Sequence, residues 1–443
     1  MKRLAVLVIL GFLAFGNAAS WAAQWRVGTA RTEITPTTLL WMAGYAARQH
    51  PAEGTLHPLW AKALVIDDQR GGRVAIITTD LIGDDFQREL SNSVAAGVTR
   101  LTGIERQNIV LSFSHTHCGP VTWTGGGALV TYGGMNAQQQ ADVNAYTEIL
   151  KDKLAQLVAD ACENMRPAAL AFAEGKATFA RNRRQPEGPV DHAVPVLRVS
   201  DEQDRLLAVL FGYACHNTTL GGDYYQYNGD YAGFAQIALE SALPESQAMF
   251  MSGCGADINP APRGQVELAQ QHGRALADAV RRVLDAKLQP VRGPLTAALE
   301  RVELPFVDPP TKSDLERRRG EGDVYNQRLT EVLLGRIAEH GSLESSYPCP
   351  IQVVRFGDDL SLIALPGEPV IDLALRLRKE FSGRQIWVAG YCNEVFAYIP
   401  SERVLAEGGY EGGGAMRYFG WHGPFQPGVE DRVVGLVKRL MAQ

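Results

Sequence analysis

The chain has 443 residues, 46% of them hydrophobic and 21% charged, which is the composition of a folded protein and excludes disordered or fibrous classes. Its net charge is −6, and its Lys and Arg residues are dispersed, which argues against a nucleic-acid partner. Six cysteines without CxxC spacing fit an oxidising compartment and do not demand a disulfide scaffold.

Lys2 and Arg3 precede an apolar run from Leu4 to Phe15, and small residues lead to Ser20-Trp21-Ala22. That order predicts a secretory signal peptide over residues 1–22 and a mature domain over 24–443, exported to the periplasm or secreted. An uncleaved anchor is the alternative, although the run falls short of the roughly 20 apolar residues a span needs. Strands are predicted over Trp25–Gly28, Ala63–Asp67 and Val74–Thr79, then a helix from Phe86 to Thr102 and a strand from Asn108 to Ser114. A long helix follows over Gln139–Met165. Further strands are predicted at Ala168–Phe172, Val194–Val199, Leu207–Ala214, Ala248–Ser252 and Leu295–Leu304, with helices at Tyr231–Leu243 and Gln265–Ala286. Pro305–Pro350 reads as an excursion that covers one face, with one helical stretch from Leu315 to His340. Beyond it come a hairpin over Val353–Leu365, a helix over Pro369–Phe381, a strand over Gln385–Gly390 and a last helix over Val429–Met441. The rhythm predicts an α/β fold of mixed central sheets flanked by helices.

Five segments carry candidate chemistry. His115 and His117 of Ser114-His115-Thr116-His117-Cys118-Gly119-Pro120 are two residues apart, which on an extended backbone faces both imidazoles to one site. His216 follows another strand, and a third strand-end histidine strengthens a metal reading over three unrelated structural histidines. Asp230 is placed either to cap a helix or to serve the site. Gly253-Cys254-Gly255-Ala256-Asp257-Ile258-Asn259-Pro260 is a sharp turn after a buried strand. Glu368 lies in Leu365-Pro366-Gly367-Glu368-Pro369, where an opening helix also favours a carboxylate. Gly390-Tyr391-Cys392-Asn393-Glu394 leads to Tyr398, and a glycine-rich stretch from Gly408 to Gly414 follows.

With these motifs in this order, the chain resembles the catalytic domain of the neutral, non-lysosomal ceramidases, from Gly28-Thr29-Ala30-Arg31-Thr32-Glu33-Ile34-Thr35-Pro36 to Tyr410-Glu411-Gly412. The resemblance implies one catalytic zinc held by His115, His216, Glu368 and Tyr398. It implies that His117 handles substrate and protons and that Arg183, in Asn182-Arg183-Arg184, contacts the oxyanion. It draws Asp257 and Asn259 into the catalytic set. The implied reaction is hydrolysis of an amide in an N-acyl compound, ceramide or a ceramide-like lipid first, by zinc-activated water.

Two departures qualify this. Asn259 stands where the family has a serine, and asparagine is no useful nucleophile, so an acyl-enzyme there is not expected. The family's immunoglobulin-like C-terminal domain is expected to be missing. An esterase, another hydrolase or a non-catalytic binding protein on the same fold are the rival readings. The expected partner is a small-molecule or lipid N-acyl substrate, with transient contact at a membrane surface and no obligate protein partner. The cysteines beside the histidines, Cys118 and Cys215, are expected to pack rather than to ligate.

Overall fold

A computed structural model describes residues 24–83 and 88–443. The expected signal peptide and the start of the helix expected from Phe86 lie outside the described residues. The larger sheet is built from β1 (Trp25–Glu33), β2 (Trp60–Asp67), β3 (Arg73–Thr79), β4 (Ile109–Phe113), β5 (Arg166–Lys176), β6 (Ala193–Ser200), β7 (Leu206–Tyr213) and β8 (Gln247–Ser252). Their spatial order is β8-β7-β6-β5-β1-β2-β3-β4, and the short β9 (Gln289–Val291) also pairs with β5. The second sheet runs β10 (Leu295–Pro305), β11 (Ser346–Phe356), β12 (Leu360–Ala364) and β13 (Ile386–Ala389) in that order.

Pairing along both sheet paths is antiparallel except at three places: β4 on β3, β8 on β7 and β13 on β12. Parallel neighbours need a crossover, and each pair has a helix in its connection. These helices are α1 (Glu89–Thr102), α3 (Asp230–Ala242) and α6 (Ile371–Glu380); the remaining long helices are α2 (Ala137–Glu163), α4 (Val266–Leu284), α5 (Val324–His340) and α7 (Val429–Ala442). Open parallel pairs offer their carboxyl ends to ligands. Every segment with candidate metal ligands leaves one of these pairs at such an end.

β4 and β8 are opposite edges of the larger sheet, yet they meet. Ser252 Oγ donates to the Ser114 carbonyl (3.1 Å), and behind them Lys62 Nζ donates to the Ala248 carbonyl (2.8 Å). The segment after β13 closes the seam: the Gly390 N–H donates to Ser252 O (2.9 Å), the Phe113 N–H to Tyr391 O (3.1 Å) and the Asn393 N–H to Leu111 O (2.6 Å). Inside the fold, Trp25, Leu64, Met249, Met251, Leu362 and Trp387 form one apolar cluster shared by the two sheets. On the outside, Val94 and Val98 of α1 and Leu154, Val158 and Ala161 of α2 cover β1–β4.

Two expectations need correction. The excursion holds two helices, Lys312–Arg317 and α5, because Gly320 and Gly322 take positive φ (80° and 77°) and Asp323 caps α5 by accepting from the Asn326 N–H. The strand before His115 ends at Phe113, so His115 and His117 do not lie on extended backbone. Among the described residues, no helix is long and apolar enough to cross a membrane.

Gly28 of β1 sits under α2, where an added Cβ would lie 1.8 Å from the Ala161 carbonyl oxygen. Gly28→Ala is expected to destabilise by at least about 1–3 kcal/mol, the usual cost of overpacking. Gly335 in α5 faces open space, and Gly335→Ala is expected to stabilise by about 0.4–1 kcal/mol. Thermal melts of the two variants check both signs; equal melting temperatures would show that β1 and α2 are not in tight register.

Candidate metal centre

Beyond β4 the chain stays tied to β3 while it turns: the Ser114 N–H donates to Thr79 O and the His115 N–H to Leu81 O, both at 2.9 Å. His115 itself has φ 57°, a left-handed conformation that costs a non-glycine residue about 1–2 kcal/mol. That turn, rather than strand alternation, swings the imidazoles of His115 and His117 together, with their Nε2 atoms 3.2 Å apart. His216 arrives three residues after β7 and Glu368 four residues after β12. Glu368 and Tyr398 are aligned neighbours in a two-residue parallel bridge, Glu368–Pro369 with Tyr398–Ile399, so backbone pairing sets the carboxylate beside the phenol.

The ligand-capable atoms face one another. His115 Nε2 and His216 Nε2 each lie 3.3 Å from the same Glu368 oxygen, Oε2. His115 Nδ1 lies 2.6 Å from the Ile82 carbonyl and His216 Nδ1 3.0 Å from the Gly255 carbonyl. A carbonyl only accepts, so each Nδ1 carries the proton, and in the neutral rings each Nε2 presents a lone pair to the carboxylate. His216 Nε2 and Glu368 Oε2 are buried and have no hydrogen-bond partner among the described residues. Three electron-rich atoms packed this way call for a cation. Tetrahedral ligands about 2.0–2.1 Å from zinc lie about 3.3 Å from one another, which is the distance of each imidazole from Glu368 Oε2. The three histidines alone form a buried group able to hold a metal ion, with ligand atoms all within 4.8 Å of one another.

His117 differs from the other two. Its Nδ1 is buried without a partner among the described residues, against Gly44, and the Tyr45 ring stands edge-on to the imidazole at 4.7 Å. A ligand histidine normally has its second nitrogen fixed by an acceptor; His117 is not so fixed. Burial first, then the neighbouring imidazoles, hold its pKa well below the ordinary value, so it is neutral. Tyr398 lies nearly parallel to His216 (11° between rings), and burial followed by the Glu368 charge pushes its phenol well above the usual range. Arg183 Nη2 donates to Tyr398 Oη at 3.2 Å.

The remaining candidates stand apart. Asp257 accepts from the Ile371 N–H (2.8 Å) and from Asn182 Nδ2 (3.0 Å), and its carbonyl accepts from the Arg183 N–H (2.8 Å). It ties the start of α6 to the Arg183 segment. Asn259 pairs with Arg181 across a short bridge, and its Oδ1 is buried without a partner. Neither residue lines the cavity described below. Asp230 accepts from the backbone of Leu220 (2.9 Å) and Tyr231 (2.6 Å), a tie at the first turn of α3. All six cysteines are free; Cys118 and Cys215 are buried and neither belongs to the metal group.

A cavity of ≈ 510 Å³ opens beside these groups. His115, His117, Glu368 and Tyr398 line it, together with Tyr45, Trp123, Tyr132, Tyr325, Tyr410 and Phe419. Tyr325 comes from α5, so the excursion after β10 does cover the site. These aromatic residues were not legible in the sequence. Each comes from a different loop or helix, with no shared spacing to mark them.

Fold and site together define a mixed α/β protein with a buried polar cluster, able to hold a metal ion, at the carboxyl ends of its parallel strands. The family model described as neutral/alkaline non-lysosomal ceramidase, N-terminal, matches residues 25–266, more than half of the chain. The chain belongs to that family. It is 22% identical to neutral ceramidase of Pseudomonas aeruginosa over 94% of this chain and 72% of that one, and 23% identical to neutral ceramidase of Mycobacterium tuberculosis over 85% and 71%. Neutral ceramidase of Drosophila pseudoobscura is 24% identical over 54% of this chain. Against the fly and plant relatives, the match spans about a third of their length. The fold is similar to the crystal structure of neutral ceramidase from Pseudomonas aeruginosa, with TM-score 0.73 and 19% identity, covering 94% of this chain and 75% of that one.

The division between His117 and the other histidines is testable. Elemental analysis of purified protein is expected to find one zinc per chain, lost in His115→Ala and His216→Ala and retained in His117→Ala. Equal zinc loss from all three would make His117 a ligand.

Proposed function

We propose that this protein is an exported, zinc-dependent amidohydrolase that cleaves the C–N bond of N-acyl compounds, with ceramide-like lipids as the first substrate class. The observation that carries the reading is the convergence of His115 Nε2, His216 Nε2 and Glu368 Oε2 at one end of a largely aromatic cavity. Membership of the ceramidase family supports the amide bond as target, and the Lys2-to-Ala22 pattern supports export.

His115, His216, Glu368 and Tyr398 would hold the zinc, which when bound supplies a Lewis acid and a water acidified towards neutrality. Around it, the chain's own groups have distinct tasks. Neutral His117, whose Nε2 lies 3.2 Å from His115 Nε2, takes the proton of the attacking water and returns it to the departing nitrogen. Arg183, hydrogen-bonded to Tyr398 Oη, donates to the acyl oxygen as it gains charge. The aromatic walls hold the acyl chain and exclude bulk water. Water adds to the carbonyl carbon, the C–N bond breaks, and a carboxylic acid and an amine leave. Asn259 has no part in this route.

The test is turnover of zinc-loaded protein on a panel of N-acyl sphingosines, N-acyl amino acids and matched esters. Release of fatty acid from the amides is expected, abolished by chelator and restored by zinc. Hydrolysis of the esters alone would overturn the amide assignment, and an inert zinc protein would favour a binding role. In the same assay His117→Ala is expected to lower kcat by about 10²–10⁴, whereas Asn259→Ala costs less than about tenfold, below the usual range for a proton-transfer group. Equal losses would place Asn259 in the chemistry.

A further inference from the structure

The glycine-rich segment 408–414 brings a carboxylate to the edge of the site that the route above leaves unused. Glu411 is buried, its side chain only 4% exposed, and it grips two arginines at once. Arg183 Nε donates to Oε1 and Arg184 Nη1 to Oε2, both at 2.6 Å. The guanidinium of Arg183 is a rigid plane, so fixing Nε fixes where its other nitrogens point. One of them, Nη2, is the donor to Tyr398 Oη, and Tyr398 is the bridge neighbour of Glu368. An unbroken hydrogen-bonded line therefore runs from Glu411 through Arg183 to Tyr398, the last of which lines the cavity.

Arg183 has little else to hold it. Among the described residues, Glu411 is the one carboxylate with which it forms an ion pair. Its guanidinium also lies over the faces of Tyr398 and Tyr410, 5.7 and 5.6 Å from the guanidinium carbon. Arg184 accounts for the loop itself: it also binds Glu407 and the Gly408 carbonyl. Loop anchoring therefore does not need the second arm to Arg183. Burial opposes the ionised form of Glu411, and the two guanidiniums more than offset it, holding the carboxyl below its ordinary value.

We propose that Glu411 is a positioning residue for the hydrolysis, aiming the Arg183 guanidinium at Tyr398 and at the acyl oxygen of the substrate; this rests on the amidohydrolase reading of the site. A group that acts through Arg183 stabilises developing negative charge and leaves binding of the neutral amide nearly untouched. It also strengthens binding of an anionic product.

The experiment compares Glu411→Gln, Arg183→Gln and the double variant, each zinc-loaded, for kcat, KM and calorimetric affinity for dodecanoate. Glu411→Gln is expected to lower kcat by about 10- to 100-fold, the size of one charge-assisted hydrogen bond, with zinc content and KM held. Dodecanoate affinity is expected to fall in parallel. The double variant is expected to be no worse than Arg183→Gln alone, since one acts through the other. Losses that multiply, or wild-type values in Glu411→Gln, would overturn the proposal. If Glu411→Gln does not fold, Glu411→Asp keeps the charge one methylene short, and a kcat indistinguishable from wild type would count against the proposal. A wild-type protein that turns over no amide sinks the functional reading, and the dodecanoate arm then still decides whether Glu411 aims Arg183.

Discussion

Two imidazole lone pairs converge on one carboxylate oxygen inside this protein, each 3.3 Å from it, among residues that are almost wholly buried. No arrangement of neutral hydrogen bonds satisfies such a contact, since each imidazole has already committed its proton to a carbonyl on the far side. A divalent cation would resolve it. Much of the surrounding structure keeps the contact in place. The Ile82 and Gly255 carbonyls fix the tautomers, the Glu368–Tyr398 bridge fixes the carboxylate, and Glu411 and Arg183 hold the phenol from behind.

Strand direction explains why these groups can meet at all. The antiparallel body of each sheet supplies mass and burial, whereas the three parallel pairs supply open carboxyl ends. The seam between β4 and β8 then folds those ends onto one point. The positive φ values at His115 (57°), Tyr391 (55°) and Asn393 (64°) all fall at this seam. Such backbone is held only where neighbours over-determine it. Here the Leu111, Phe113 and Ser252 hydrogen bonds and the fully buried Asn393 side chain, which donates to Gln352 Oε1 at 2.9 Å, do so.

Most of the strands and helices were legible because each has a clean period: β3 and β4 are nearly unbroken apolar runs, and α4 carries its buried Ala269, Leu276, Ala277 and Val280 at helical spacing. The metal-ligand candidates were legible as motifs rather than as geometry. Strand alternation rightly paired His115 with His117 for the wrong reason, since a left-handed turn and not extended backbone brings them together. The break at Gly320–Gly322 was hidden because the charged residues on either side read equally well as one helix. The aromatic lining was invisible, since Tyr45, Trp123 and Tyr325 share no element, and only the closed fold puts them around one space. Glu411 was hidden in the same way: its two partners lie 228 and 227 residues away.

The seam has a consequence for assembly. The four candidate ligands, residues 115, 216, 368 and 398, follow strands of both sheets, so the full set is complete only once the second sheet has docked on the first. Contacts of such long sequence separation form late and slowly, because loop-closure entropy is lost before they are made. A metal ion bound by the full set would stabilise the folded chain by mass action.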